Sequence, residues 1–271
     1  MRYWSLLFGF VALACAACFA YAPFDAEWWL PAGPDASLGH LHSASSIGKR
    51  IDALFVIILW ITGAVFIGTQ VVLVWAAWKY ADAPGRIAIY FHGSQRLELI
   101  WTIIPAVFLV FIALYQMQTW ADVKFKSQSP DVAPIAEVMG RQFQWLVRYA
   151  GPDGKYHTPD DVHTINDLHF VKGEPTLIEL QSQDVIHSFF LPQLRIKQDA
   201  VPGLKIPVWF DTDQAGKYEL ACAELCGWGH YKMRGLVTVH ANRDEFNAWV
   251  ADAAREQSRD QLAPATGGEG R

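Results

Sequence analysis

A chain of 271 residues can hold one or two compact units, and a net charge of −5 excludes the basic excess that grips nucleic acid. Hydrophobic residues make up 52% of it and include 12 tryptophans. They are segregated into runs, so the runs decide the class more than the totals do.

The first run, Trp4 to Ala22, follows Arg2 and ends in small residues (Ala20 and Ala22 around Tyr21) before Pro23. A positive start, a short apolar stretch and an alanine-rich exit predict a secretory signal peptide over residues 1–22, with a third spanning helix as the alternative. Cys15 and Cys18 lie inside it, in a context poor for lipidation, and are read as its passengers. Residues 23–52, rich in Pro, Gly and Ser, are expected to form an external leader.

Two longer runs, 53–78 and 99–121, contain no Asp, Glu, Lys or Arg. Each exceeds the ~20 residues that cross a bilayer, so residues 53–121 are predicted to form a transmembrane helix hairpin. The intervening segment carries Lys79, Arg86 and Arg96, which places it in the cytoplasm by the positive-inside rule. Everything after Gln118 is then expected to be extracytoplasmic.

After Trp120 the pattern changes to short apolar segments separated by turn residues. Strands are predicted at Ala136–Val138, Phe143–Tyr149, Leu168–Phe170, Thr176–Ser182, Val185–Phe190, Leu204–Phe210, Lys217–Ala221 and Gly235–His240. Short strands at this spacing point to a β-sandwich or Greek-key barrel, making the whole an α+β membrane protein. From Arg243, Phe246, Trp249, Val250 and Ala253 recur at helical spacing, so a C-terminal helix and a flexible tail are expected over 243–271.

The stretch CAELCGWGHYKM gathers Cys222, Glu224, Cys226, His230 and Met233 within twelve residues. A disulfide between the cysteines leaves His230 and Met233 unexplained, and a Cys2His2 zinc site has no use for a thioether and another spacing. Covalent haem attachment needs two residues between the cysteines and a histidine directly after, which is absent. Thiolate, imidazole and a weak thioether form the ligand set of copper electron-transfer sites. A single blue-copper ion takes one cysteine, and this loop has two, so two copper ions bridged by both sulfurs use the set more fully. The loop supplies one histidine; His187, on the apolar run DVIHSFFLP, is the best candidate for the second.

DVIHSFFLP, LRIKQDAVPG, CAELCGWGHYKM and GSQRLELIWTIIPA resemble subunit II of cytochrome c oxidases, in family order from about Ile51 to His240. The resemblance implies a cupredoxin-like domain over 122–242 whose binuclear copper centre is bound by the side chains of His187, Cys222, Cys226, His230 and Met233 and by the Glu224 carbonyl. It implies no haem in this chain, a magnesium ion near the Glu224 carboxylate at the boundary with subunit I, and a proton-channel role for Glu98. Partners implied are subunit I, subunit III and a cytochrome c or membrane-tethered cytochrome donor, at a bacterial-type plasma membrane with the copper domain outside. The family pattern G-x-Q-W-x-W receives electrons at its first tryptophan. Here Phe143 takes that place and Trp145 is retained, so both mark a candidate electron-input region. The expected activity is oxygen reduction by a complex that takes electrons from cytochrome c. A nitric oxide reductase subunit with the same input site is the alternative.

Overall fold

A charge-free apolar run in a membrane can satisfy its backbone only internally, and both long runs are helices. The computed structural model describes residues 2–21, 43–87, 89–125 and 133–262. Helix α1 spans Arg2–Tyr21, α2 Ser46–Lys79 and α3 Gln95–Lys124. The 34 residues of α2 rise about 50 Å against a ~30 Å hydrocarbon core, so both of its ends continue past the bilayer. The two long helices outrun the charge-free spans because Ser46, Lys49, Arg96 and Lys124 interrupt apolarity without interrupting helix geometry. Pro105 lies inside α3, where it removes one backbone donor, and no residue of α3 is buried. Cys15 and Cys18 are exposed thiols on α1.

The chain divides into two compact units, Met1–Trp29 with Asp52–Trp120 and Leu30–Ile51 with Ala121–Arg271. The second takes in the described end of the segment expected as a leader over 23–52. Residues 22–42 lie outside the described set, but Ser43, Ala44, Ser45 and Ile47 are buried. Ala44 N–H donates to the Gln193 carbonyl (3.0 Å), and its own carbonyl accepts from Asp213 N–H (3.0 Å). Ser45 Oγ donates to the Leu194 carbonyl (2.8 Å) and accepts the Gly48 N–H (2.8 Å), capping the start of α2. Ile47 packs with Leu177 and Trp209. These partners are about 130 to 170 residues away in the chain, which composition alone does not reveal.

Ten strands build the rest of this unit: β1 Ala136–Arg141, β2 Gln144–Tyr149, β3 Val162–Ile165, β4 Asp167–Val171, β5 Thr176–Ser182, β6 His187–Leu191, β7 Ile196–Ala200, β8 Ile206–Phe210, β9 Gly216–Cys222 and β10 Arg234–His240. They form two five-stranded sheets, ordered β3-β2-β1-β5-β8 and β4-β10-β9-β6-β7. The pairs β1–β5 and β4–β10 are parallel, and the remaining pairs are antiparallel. Trp145, Tyr149, Phe170, Phe189, Phe210, Ile178, Leu180 and Leu220 fill the core cluster. Strands β3 and β7 are absent from the sequence expectation. Both lie at sheet edges, where polar residues such as His163, Lys197 and Asp199 suit a solvated face and dilute the apolar alternation.

Helix α4, Arg243–Leu262, is capped by Asn242, whose Oδ1 accepts the Glu245 N–H (2.9 Å). Its apolar face docks on a histidine pair. His169 stacks on Trp249 with ring centroids 3.6 Å apart, and its Nδ1 lies 2.9 Å from His240 Nε2. His169 Nε2 lies 3.0 Å from Asp167 Oδ2, but no hydrogen bond is aligned between them. Burial and the adjacent His169 push the His240 pKa below its ordinary 6.5, against the opposing pull of Glu245 and Asp167. A depressed folded-state pKa means that the unfolded chain binds more protons, so stability present above pH 6.5 is lost as pH falls below it. The denaturation midpoint should therefore fall between about pH 7 and 5, and His240→Gln should flatten that fall.

Candidate metal centre

Strands β6 and β9 pair with Phe189 opposite Cys222, which brings the start of β6 beside the loop that leaves β9. Residues of like parity share a strand face, so His187 points inward with Phe189 and is wholly buried. The loop is closed at its base by the Cys222 N–H donating to the Met233 carbonyl (3.1 Å). Between those two positions the chain turns back on itself, and its sulfur and nitrogen donors converge.

Cys222 Sγ lies 3.9 Å from His187 Nδ1 and 3.9 Å from Cys226 Sγ. Cys226 Sγ lies 3.7 Å from His230 Nδ1 and 3.8 Å from Met233 Sδ. The Glu224 carbonyl oxygen is 3.3 Å from Cys222 Sγ, while the Glu224 side chain is exposed. A sulfur separation of 3.9 Å is far beyond the ~2.05 Å of a disulfide. It is also short enough for one ion with metal–sulfur bonds of ~2.3 Å to touch both. His187, Cys222 and Cys226 present ligand atoms within 4.8 Å of one another. All six expected ligands are thus gathered by geometry. Burial and the neighbouring Cys222 push the Cys226 thiol up to about 11, so a bound cation must drive off its proton.

Three further residues hold this arrangement and were not singled out from sequence. Asp184 Oδ1 lies 2.8 Å from His187 Nε2, leaving Nδ1 to face the sulfurs. Burial raises the Asp184 pKa, but hydrogen bonds from the Gln142 N–H, His187 and the Val185 N–H outweigh it and hold the group below its usual range. A carboxylate behind a ligating imidazole fixes the ring and strengthens it as a ligand. The signal was present, three residues before His187 in DVIH. Gln142 Nε2 donates to the Cys226 carbonyl (2.5 Å) and pins the loop. Gly140 lies under the His187 ring, where an added Cβ would stand 2.9 Å from Cδ2 and 3.0 Å from Cγ. Gly140→Ala should displace the imidazole and weaken metal retention about 10- to 100-fold, read by competition with a chelator.

Trp145, one of the two residues expected at electron input, is fully buried, edge-on to His187 with centroids 6.0 Å apart. Phe143 is partly buried and meets the exposed Trp228 edge-on at 5.1 Å. Glu98 belongs to the other unit. It is exposed in the first turn of α3, where a carboxylate suits the helix dipole.

The sequence matches the family models of the cytochrome c oxidase subunit II transmembrane domain over residues 35–119 and its periplasmic domain over 162–240. An alternative cytochrome c oxidase subunit 2 of Bradyrhizobium diazoefficiens is 30% identical over 249 residues, 84% of each chain. The chain belongs to the cytochrome c oxidase subunit II family. A cytochrome c oxidase subunit 2 of Thermostichus vulcanus is 29% identical over 284 residues, covering 82% of this chain and 84% of the relative. The crystal structure of the periplasmic domain of subunit II of cytochrome oxidase from Bradyrhizobium japonicum matches 47% of this chain and 97% of its own, at 25% identity and a TM-score of 0.41. Helices α2 and α3 are the membrane-spanning pair of this subunit II, and the β-sandwich is its outward-facing domain.

Proposed function

We propose that this subunit II is the electron-input subunit of its oxidase. His187, Cys222, Cys226, His230, Met233 and the Glu224 carbonyl would hold a binuclear copper centre, which would supply one-electron transfer from a reduced c-type cytochrome. From there electrons pass to the haem of subunit I, where oxygen is reduced to water. The observation that carries the reading is the continuous donor set running from His187 through Cys222 and Cys226 to His230 and Met233, in steps of 3.7 to 3.9 Å. Its soft thiols, imidazoles and thioether suit copper in electron transfer. A copper pair held there would share one electron over two ions, so the surroundings would rearrange little on electron transfer.

The chain's own residues keep that rearrangement small. Asp184 fixes the ring of His187, Gln142 ties down the Cys226 carbonyl, and the Cys222–Met233 backbone bond closes the loop on two paired strands. Trp145 and Phe189 meet edge-on beside His187 and keep water from its buried side. The exposed Glu224 carboxylate is a hard oxygen ligand suited to magnesium at the boundary with subunit I. Glu98, at the cytoplasmic end of α3, is assigned to proton delivery; the copper domain lies on the outer side of a bacterial-type plasma membrane, and subunit III completes the complex. A signal peptide over 1–22 belongs to the same proposal, and the tail expected after α4 lies outside the described residues.

Purified complex supplied with reduced cytochrome c should consume oxygen, and consumption of nitric oxide in place of oxygen would overturn the assignment. Glu98→Ala should slow steady-state turnover by about 10²-fold or more, the weight of a positioned proton donor, at unchanged copper content. Unaltered turnover would remove Glu98 from the proton path.

A further inference from the structure

We infer that Trp228 is the residue through which electrons enter this chain from its donor; the inference rests on the proposed electron-input role of the copper loop. Trp228 lies midway between two ligands, two residues after Cys226 and two before His230. Its side chain is nevertheless 77% exposed. A large indole held on the outside of a ligand loop costs hydration free energy with no gain to folding, which marks it as a contact for something else. Leu225 and Tyr231, at 79% and 72% exposure, flank it in the same loop and extend the apolar surface. The two aromatic candidates before the loop are less accessible, since Trp145 is fully buried and Phe143 partly so.

Trp228 is also wired inward. Its ring meets Phe143 at a centroid separation of 5.1 Å and an angle of 65°. Phe143 in turn lies flush against the loop backbone. A Cβ on Gly229 would come within 2.5 Å of its ring, and one on Gly227, whose φ is +134°, within 3.1 Å. The two glycines on either side of Trp228 are therefore what let the Phe143 ring touch the chain that links Cys226 to His230. Electronic coupling passes better through packed atoms than across a gap, and the contact Trp228–Phe143–loop leaves no gap.

Lys232 Nζ stands 4.6 Å from the centroid of the Trp228 ring. A cation on the π-face stabilises the neutral indole and opposes its oxidation. Trp228 is thus a bridge and not a stopping point. One electron leaves the donor's ferrous haem, which becomes ferric, and reduces the copper pair by one; Trp228 undergoes no net oxidation and no proton moves. The occupant of the patch is a c-type cytochrome that presents its haem edge through apolar surface.

The test uses the assembled oxidase with Trp228→Leu and Trp228→Phe. Rapid mixing with reduced cytochrome c should show copper-centre reduction slowed about tenfold or more in the leucine variant and less in the phenylalanine variant. Equilibrium binding of oxidised cytochrome c, measured without turnover, should weaken in the leucine variant. Copper content, optical spectrum and reduction by hexaammineruthenium(II) should stay unchanged. Wild-type reduction by cytochrome c together with wild-type binding in Trp228→Leu would overturn the inference. Equal slowing with the ruthenium reductant would place the defect in the centre and overturn it too. Absence of a copper spectrum in the unsubstituted oxidase would instead sink the electron-input reading beneath it.

Discussion

Cys226→Ser is expected to abolish the binuclear centre while leaving the fold in place. Cys226 is the hub of the donor set, within 3.9 Å of Cys222 Sγ, 3.7 Å of His230 Nδ1 and 3.8 Å of Met233 Sδ. A serine hydroxyl is a hard donor that stays protonated at neutral pH, so it cannot bridge two copper ions as a thiolate does. Without the bridge, His230 and Met233 lose their connection to the pair His187 and Cys222. Copper per chain should drop to one ion or none, the visible bands of a thiolate-bridged pair should vanish, and electron input from cytochrome c should collapse. The backbone that closes the loop does not involve the Cys226 sulfur, so circular dichroism should change little. Retention of the full copper content with an unaltered spectrum would remove Cys226 from the centre.

Trp145→Ala should produce the largest loss of stability. The indole is 0% exposed, edge-on to both His187 and Phe189, and sits in β2 between strands on both sides. Deleting a buried tryptophan removes its transfer free energy and leaves a cavity, which together cost about 3–5 kcal/mol. The cost is partly offset because Trp145 Nε1 is buried without a hydrogen-bond partner among the described residues, so no polar bond is lost with it. The void opens on the ring of His187, and copper retention should weaken along with the fold. Denaturant titration with and without copper separates the two effects. A loss below about 1 kcal/mol would show that the site collapses around the smaller side chain.

The residues of the site differ in how readable they were. Cys226 declared itself by spacing, because four soft donors within a dozen residues leave few alternative chemistries. His187 needed the further argument that the loop was one imidazole short, and the pairing of β6 with β9 supplies the contact that the argument required. Asp184 was signalled only by its place in DVIH, and Gln142 and Gly140 carried no signature. Their roles arise from the packing of one sheet on the other, which sets β1 and the turn after it against β6, a relation between positions about 40 to 85 residues apart. The core strands were legible where apolar side chains alternate, as in Gln144–Tyr149 and Thr176–Ser182. The edge strands Val162–Ile165 and Ile196–Ala200 were not, since an edge tolerates the polar residues that erase the pattern. The segment Ser43–Ile47 read as leader because its serines look like linker. The hydroxyls of Ser43 and Ser45 donate to the Gln193 and Leu194 carbonyls inside the domain, and that of Ser46 to the Asp211 carboxylate.

The central claim is that two thiolates, two imidazoles, a thioether and one carbonyl hold a pair of copper ions. Metal analysis combined with EPR spectroscopy on the oxidised full chain tests it most directly. The expected result is two coppers per chain with a single unpaired electron whose hyperfine pattern is that of two equivalent copper nuclei. One copper per chain with the pattern of a single nucleus, or zinc bound in its place, would contradict it.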